Sequence, residues 1–169
     1  MKKLIIVLAI LITILSINKN EDKIIIPKDS IRFRVIANSN TEEDQQLKRE
    51  IVSNLSTTIS KTNSLNNIES TRAYLQKELP TFHNIVDKTL ENANQNKTFN
   101  INYGKNYFPK KEYEDVVYEE GEYESLVITL GEGEGENFWC VLFPPLCMID
   151  EDSDIEYKSL IKEVLDKYF

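Results

Sequence analysis

The stretch that decides the fold runs from Ile31 to Ile59, IRFRVIANSNTEEDQQLKREIVSNLSTTI. Ile31, Phe33, Val35 and Ala37 alternate with Arg32, Arg34 and Asn38, the period-two pattern of a strand with one apolar face. Asn38-Ser39-Asn40-Thr41 then supplies four residues suited to capping a helix. Glu42, Glu43 and Asp44 follow, where the helix dipole favours negative charge. Leu47, Ile51, Leu55 and Ile59 recur at four-residue steps, a narrow apolar stripe that would pack on the sheet. The segment therefore predicts strand, tight turn, helix.

Toward the C-terminus, a polar break over 60–67 precedes Ile68, Leu75 and Leu79, which predict a second helix ended by Pro80. Ile85, Val86 and Leu90 predict a third, and the Asn-rich run from Asn92 to Asn100 turns the chain. Phe99, Ile101 and Tyr103 return to strand patterning. Val116 to Tyr118 and Tyr123 to Leu130 read as two strands joined by a glycine-containing turn. Gly131 to Gly135 reads as a tight hairpin connection, Phe138 to Phe143 as the next strand, and Asp154 to Phe169 as a closing helix. This order predicts an α+β domain, a largely antiparallel sheet with helices mainly on one face. One domain spans 31–169. Residues 18–30 read as a spacer, in which Ile24-Ile25-Ile26 also suits a short edge strand.

Before the spacer, Met1-Lys2-Lys3 and the apolar run from Leu4 to Leu15 have the form of a secretory signal, too short for an ordinary membrane-spanning helix. Residues 1–17 are thus expected to be a signal peptide or a membrane anchor. Ser16-Ile17-Asn18 matches a cleavage site poorly, so both remain open. The 169-residue chain has a formal charge of −8, and without the two lysines of residues 1–17 it falls to −10. Nucleic acid and anionic lipid surfaces are unsuitable partners for such a domain; a protein or a cation suits it better.

The residues that carry chemistry are few. His83 is the single histidine and reads as a helix-surface residue, which with two cysteines removes most transition-metal sites. Gly131, Gly133 and Gly135 lack phosphate-loop spacing, and Glu132, Glu134 and Glu136 would repel a phosphate. Asp150, Asp152 and Asp154 begin like a calcium loop, but Ile155 and Ile161 stand where an EF-hand requires Gly and Glu. No catalytic residue, metal site or cofactor is expected. Cys140 and Cys147 flank Pro144-Pro145 and can form a disulfide; two buried thiols are the alternative. In a strand, Trp139, Val141 and Phe143 share a face, which is either an exposed binding patch or a second core.

The stretches IRFRVIANSNTEEDQQLK (31–48), FPKKEY (108–113) and EGEYESLVITLGEGEGENFWCVLFPPLC (120–147), with Asp150, resemble the stage II sporulation protein R family. The family's usual His, Arg and Trp are replaced by Arg34, Val127 and Phe138. The resemblance implies a protein exported across the forespore membrane into the intermembrane space, where it activates a membrane-embedded aspartic protease. That protease then matures the precursor of the mother-cell sigma factor E. The partner surface expected on this reading comprises Trp139, Val141, Phe143, Pro144 and Pro145, with Asn38 and Asp44 shaping the adjacent turn; an uncleaved N-terminal segment would add membrane contact. A cell-wall or peptide hydrolase using Asp44, Glu132 or Asp150 is the rival from another class, and a calcium-responsive module is a third.

Overall fold

The computed structural model describes residues 23–113, 116–147 and 154–169, with the side chains of 154–160 excepted. The expected signal or anchor (1–17) and Asp150 and Asp152 lie outside the described residues. In chain order the elements are β1 (Ile24–Ile25), β2 (Ile31–Ile36), α1 (Glu42–Ile59), a 3-10 turn (Ser60–Ser64), α2 (Ile68–Asn92), β3 (Phe99–Phe108), β4 (Lys111–Tyr113), β5 (Val116–Tyr118), β6 (Gly121–Leu130), β7 (Asn137–Phe143) and α3 (Asp154–Tyr168). The strands form a four-stranded sheet ordered β3-β6-β2-β7 and a three-stranded sheet ordered β1-β5-β4.

The fold is α+β as expected, but its sheets are mixed rather than largely antiparallel. β2 runs parallel to β6 and antiparallel to β7, and β1 runs parallel to β5. The cause is the position of β2. It lies between β6 and β7, so the 131–136 connection carries the chain from one side of β2 to the other instead of closing a hairpin. The expected hairpin between β5 and β6 is also absent, since β5 pairs with β4 and β1 while β6 pairs with β3 and β2. Glu119-Glu120 instead links the two sheets. Residues 24–26 of the expected spacer are built into the fold, with Ile26 buried beside β5.

Alternation along β2 feeds two cores. Ile31, Phe33 and Val35 join Leu126, Ile128 and Leu130 of β6 on one face, against Leu47, Ile51, Leu55 and Ile59 of α1 and Leu75, Phe82, Val86 and Leu90 of α2. On the other face Arg32 and Arg34 lie beside Trp139 and Val141 across the ladder. There Phe108, Tyr123 and Val127 cluster with Trp139, while Val141 packs with Ile26, Val116, Leu146 and Ile161 of α3.

α2 corrects the expectation of two helices split at Pro80: it is one helix of 25 residues with Pro80 inside it. Leu75, Leu79, Phe82, Val86 and Leu90 continue the apolar stripe across the proline, so packing on the core holds both halves in line. Pro80 itself is exposed, where water can satisfy the carbonyl that loses its helical partner. Arg72 further ties α2 to the sheet by two 2.8 Å bonds to the Glu124 carboxylate, which also accepts from the Tyr103 hydroxyl. Replacing Pro80→Ala restores a helical donor, and is expected to raise stability by about 2 kcal/mol after the lost rigidity of the unfolded chain is counted. Urea denaturation checks this; an unchanged or lowered midpoint would contradict it.

Candidate functional site

Two places bring together the residues singled out in the sequence, one at each side of β2. The first is the turn from β2 into α1. Thr41 caps the helix by accepting from the Asp44 amide, and Asp44, in the first helical turn, points back into the turn. Its carboxylate accepts from Asn38 Nδ2 at 2.8 Å and Ser39 Oγ at 2.6 Å, and Lys97 Nζ stands 2.7 Å from its other oxygen. Asp44 is 4% exposed. Burial alone would raise its pKa, but the bonds from Lys97, Ser39 and Asn38 outweigh that effect and hold the carboxyl well below the usual range.

The glycine-rich connection closes over this turn. Asn38 Oδ1 accepts from the Glu132 amide at 3.0 Å, Asn40 Oδ1 from the Glu136 amide at 2.7 Å, and the Asn38 and Ala37 carbonyls from Glu134 and Gly135. Gly131 has φ +53°, and a Cβ at Gly135 would meet the Ser39 carbonyl oxygen at 2.3 Å, so glycine is required for the close approach. Asn38 and Asp44 therefore do shape the turn. A depressed, charge-paired Asp44 is a poor general base near neutral pH, so the hydrolase reading gains nothing from it.

The second place is β7 and the corner that follows it. Cys140 and Cys147 are joined by a disulfide with Cα atoms 5.0 Å apart, and the Phe143–Pro144 peptide is cis. A bulge opposite Ile31 and Arg32 shifts the register, so Leu142 and Phe143 both enter the helix-side core. The expected shared face of Trp139, Val141 and Phe143 is thus broken at the bulge. Val141 and Phe143 are 1% and 5% exposed, and Pro144 is buried too, which leaves half-buried Trp139 and Pro145 as the accessible members of that set.

Trp139 sits at the edge of a cleft between the two sheets, whose walls include Arg32, Lys111, Tyr113 and Tyr118. Arg32 is 2% exposed, with its guanidinium 3.3 Å from the Tyr123 ring centroid and 5.3 Å from that of Phe108. Arg34 lies over Phe108 and Trp139 at 4.9 and 5.3 Å. Burial lowers the pKa of both arginines, which nevertheless stay charged. Sequence reading missed this cleft because arginines alternating with apolar residues look like a solvent face. The available signal was the row Phe108, Tyr113, Tyr118 and Tyr123, one aromatic every five residues.

Residues 27–153, which carry β2 through β7, match the family described as Stage II sporulation protein R. The chain belongs to the stage II sporulation protein R family. It is 41% identical over 134 residues to the stage II sporulation protein R of Bacillus subtilis (strain 168), covering 78% of this chain and 60% of that protein's length. No solved structure matches the chain. Membership of the stage II sporulation protein R family gives the chain a role in sporulation. Arg34 and Val127 are neighbours across the β2–β6 ladder, and Trp139 lies opposite Arg34 on β7.

Two outcomes follow from these two places. Asp44→Asn should cost about 2 kcal/mol, since Lys97 loses its counter-charge inside the turn. Because the folded Asp44 pKa is depressed, its stabilisation is full above the ordinary carboxylate value near pH 4 and fades as pH falls below it. The wild-type advantage over Asp44→Asn, measured by urea denaturation, should therefore shrink between about pH 4 and pH 2. Replacing both cysteines by serine should cost about 2.5 kcal/mol by restoring freedom to a short loop. A loss far below 1 kcal/mol would show that the corner is held by packing alone.

Proposed function

We propose that this chain is an exported sporulation signal that activates a membrane-embedded aspartic protease, which in turn matures the mother-cell sigma factor E precursor. The observation that carries the reading is the family match, which runs through both halves of the β2–β7 pair and includes the Trp139–Cys147 corner. The geometry supports a protein-binding role. Trp139 stands half-buried beside a basic, aromatic cleft, on a strand whose far end is fixed by the disulfide and by the buried Phe143 and Pro144. An aromatic anchor on a rigid support loses little conformational entropy when it binds.

On this reading Val141, Phe143 and Pro144 hold the corner in shape from inside, and Trp139 and Pro145 touch the outward-facing part of the protease. Asn38 and Asp44 act at a distance by fixing the opposite end of β2. Residues 1–17 deliver the chain across the forespore membrane.

The test is co-expression of the full chain with the protease and its sigma factor precursor in a non-sporulating host. Precursor cleavage should require this chain, and should fall about tenfold or more with Trp139→Ala, the loss expected of an interface anchor. Thermal unfolding of the purified variant establishes that it is folded. Cleavage that proceeds without the chain overturns the reading, and full cleavage with a folded Trp139→Ala variant removes this surface from it.

A further inference from the structure

The cleft between the sheets has a feature that packing alone does not account for. Arg32 is almost completely enclosed, yet its Nε has no hydrogen-bond partner, and the same holds for Nε of Arg34. Among the described residues, Arg32 Nη2 donates to the Glu119 carbonyl at 3.3 Å and the guanidinium also interacts with the Tyr123 side chain, and neither contact engages Nε. Among the described residues, none of the ion pairs involves either arginine. A buried donor without a partner costs about 1–3 kcal/mol, and more when it is charged.

The ring contacts define what is missing. Tyr123 stacks on Arg32 from 3.3 Å, which occupies the face of the guanidinium and leaves donors along its edge. Edge-on N–H groups of a stacked arginine match the paired oxygens of a carboxylate. The cleft has a free volume of about 20 Å³. That is room for about one water-sized polar group, such as a carboxylate oxygen, at the deepest point of the cleft. Lys111 stands exposed among the lining residues and adds a second accessible positive charge. In a chain of charge −8 this is a local concentration of positive potential, suited to drawing in an acid.

We propose that the cleft is a carboxylate-binding site in which Arg32 is the principal donor and Lys111 the guide at the mouth, and that the protein partner fills it with an acidic side chain. The second half rests on the reading of the chain as a protease-activating ligand; the first does not. Trp139 would pack beside the bound acid, so one contact combines an apolar anchor with a desolvated charge pair.

Trp139 is the single tryptophan of the chain and lines the cleft, so its emission reports occupancy. The experiment titrates the full chain with sodium propionate exchanged for sodium chloride at constant ionic strength, beside a parallel titration with propionamide. Propionate should give a saturable change and propionamide none. Arg32→Lys keeps the charge but loses the paired donors, and should raise the half-saturating concentration about tenfold or more; Lys111→Gln, at the surface, should raise it about two- to threefold. An unsaturable response, an equal response to propionamide, or unchanged propionate binding by Lys111→Gln and folded Arg32→Lys would overturn the site. If Arg32→Lys does not fold, the propionamide comparison and Lys111→Gln decide.

The same variants in the co-expression assay test the second half. Reduced precursor cleavage by a variant with weakened propionate binding supports the acidic contact, and undiminished cleavage by it overturns that contact while the activation reading stands. Absence of cleavage even with the wild-type chain overturns the activation reading instead, and leaves the carboxylate site to be decided by the titration.

Discussion

The structure depends on the burial of β2 on both of its faces. A strand whose alternate residues were all apolar would meet that demand with two hydrophobic layers. β2 instead places Ile31, Phe33 and Val35 against the helices and two arginines against aromatic rings. The arginines cannot be left in an apolar layer without support. Their surroundings follow from that requirement: Tyr123 and Phe108 supply ring faces, the Glu119 carbonyl supplies an acceptor, and Tyr118 of the second sheet brings a further ring to 5.9 Å from Arg32. Through Tyr118 the three-stranded sheet contributes to the enclosure of Arg32.

The ends of β2 are secured by different means. At its C-terminal end, Asp44 gathers donors from Asn38, Ser39 and Lys97, and the glycine-rich connection lies close because Gly135 has no side chain to collide with Ser39. At the other end the partner strand β7 bulges, turns through a cis proline and is closed by the disulfide. The first device is electrostatic and sensitive to acid. The second is covalent and packed, and it sets the position of Trp139 relative to the cleft.

The strand-turn-helix unit was legible because its signals agree: alternation, capping residues, acidic first turn and a four-residue apolar step all point one way. Leu47, Ile51, Leu55 and Ile59 all lie in the core that the pattern implies. Pro80 misled because a local breaker was weighed without the tertiary packing that overrides it. The mixed sheet was illegible for a different reason. A short glycine-rich link between two strands has the same local chemistry whether it closes a hairpin or steps over a third strand, and the choice is made by β2, about ninety residues earlier. At the candidate site, Cys140 and Cys147 were recognisable from spacing. Which of the two expected fates Val141 meets was decided by the second core of Ile26, Val116, Leu146 and Ile161, and the burial of Phe143 against the helices was illegible, since the bulge after Val141 moves it to the other face. The arginine cleft lay hidden because Arg32 and Arg34, alternating with apolar residues, look like a solvent face, and the row of aromatics from Phe108 to Tyr123 was its one sequence sign.

The crossing of β2 by the 131–136 connection also governs how the molecule is assembled in time. β2 is complete at residue 36, but its neighbours are Ser125 to Thr129 on one side and Asn137 to Phe143 on the other. Contacts so distant in sequence carry a loop-closure cost before they contribute anything, and proteins built on them fold slowly. A chain presented N-terminus first must hold its central strand unpaired until nearly the whole domain has emerged. The central sheet therefore closes only as a late step, once Asn137 to Phe143 are available to pair with β2.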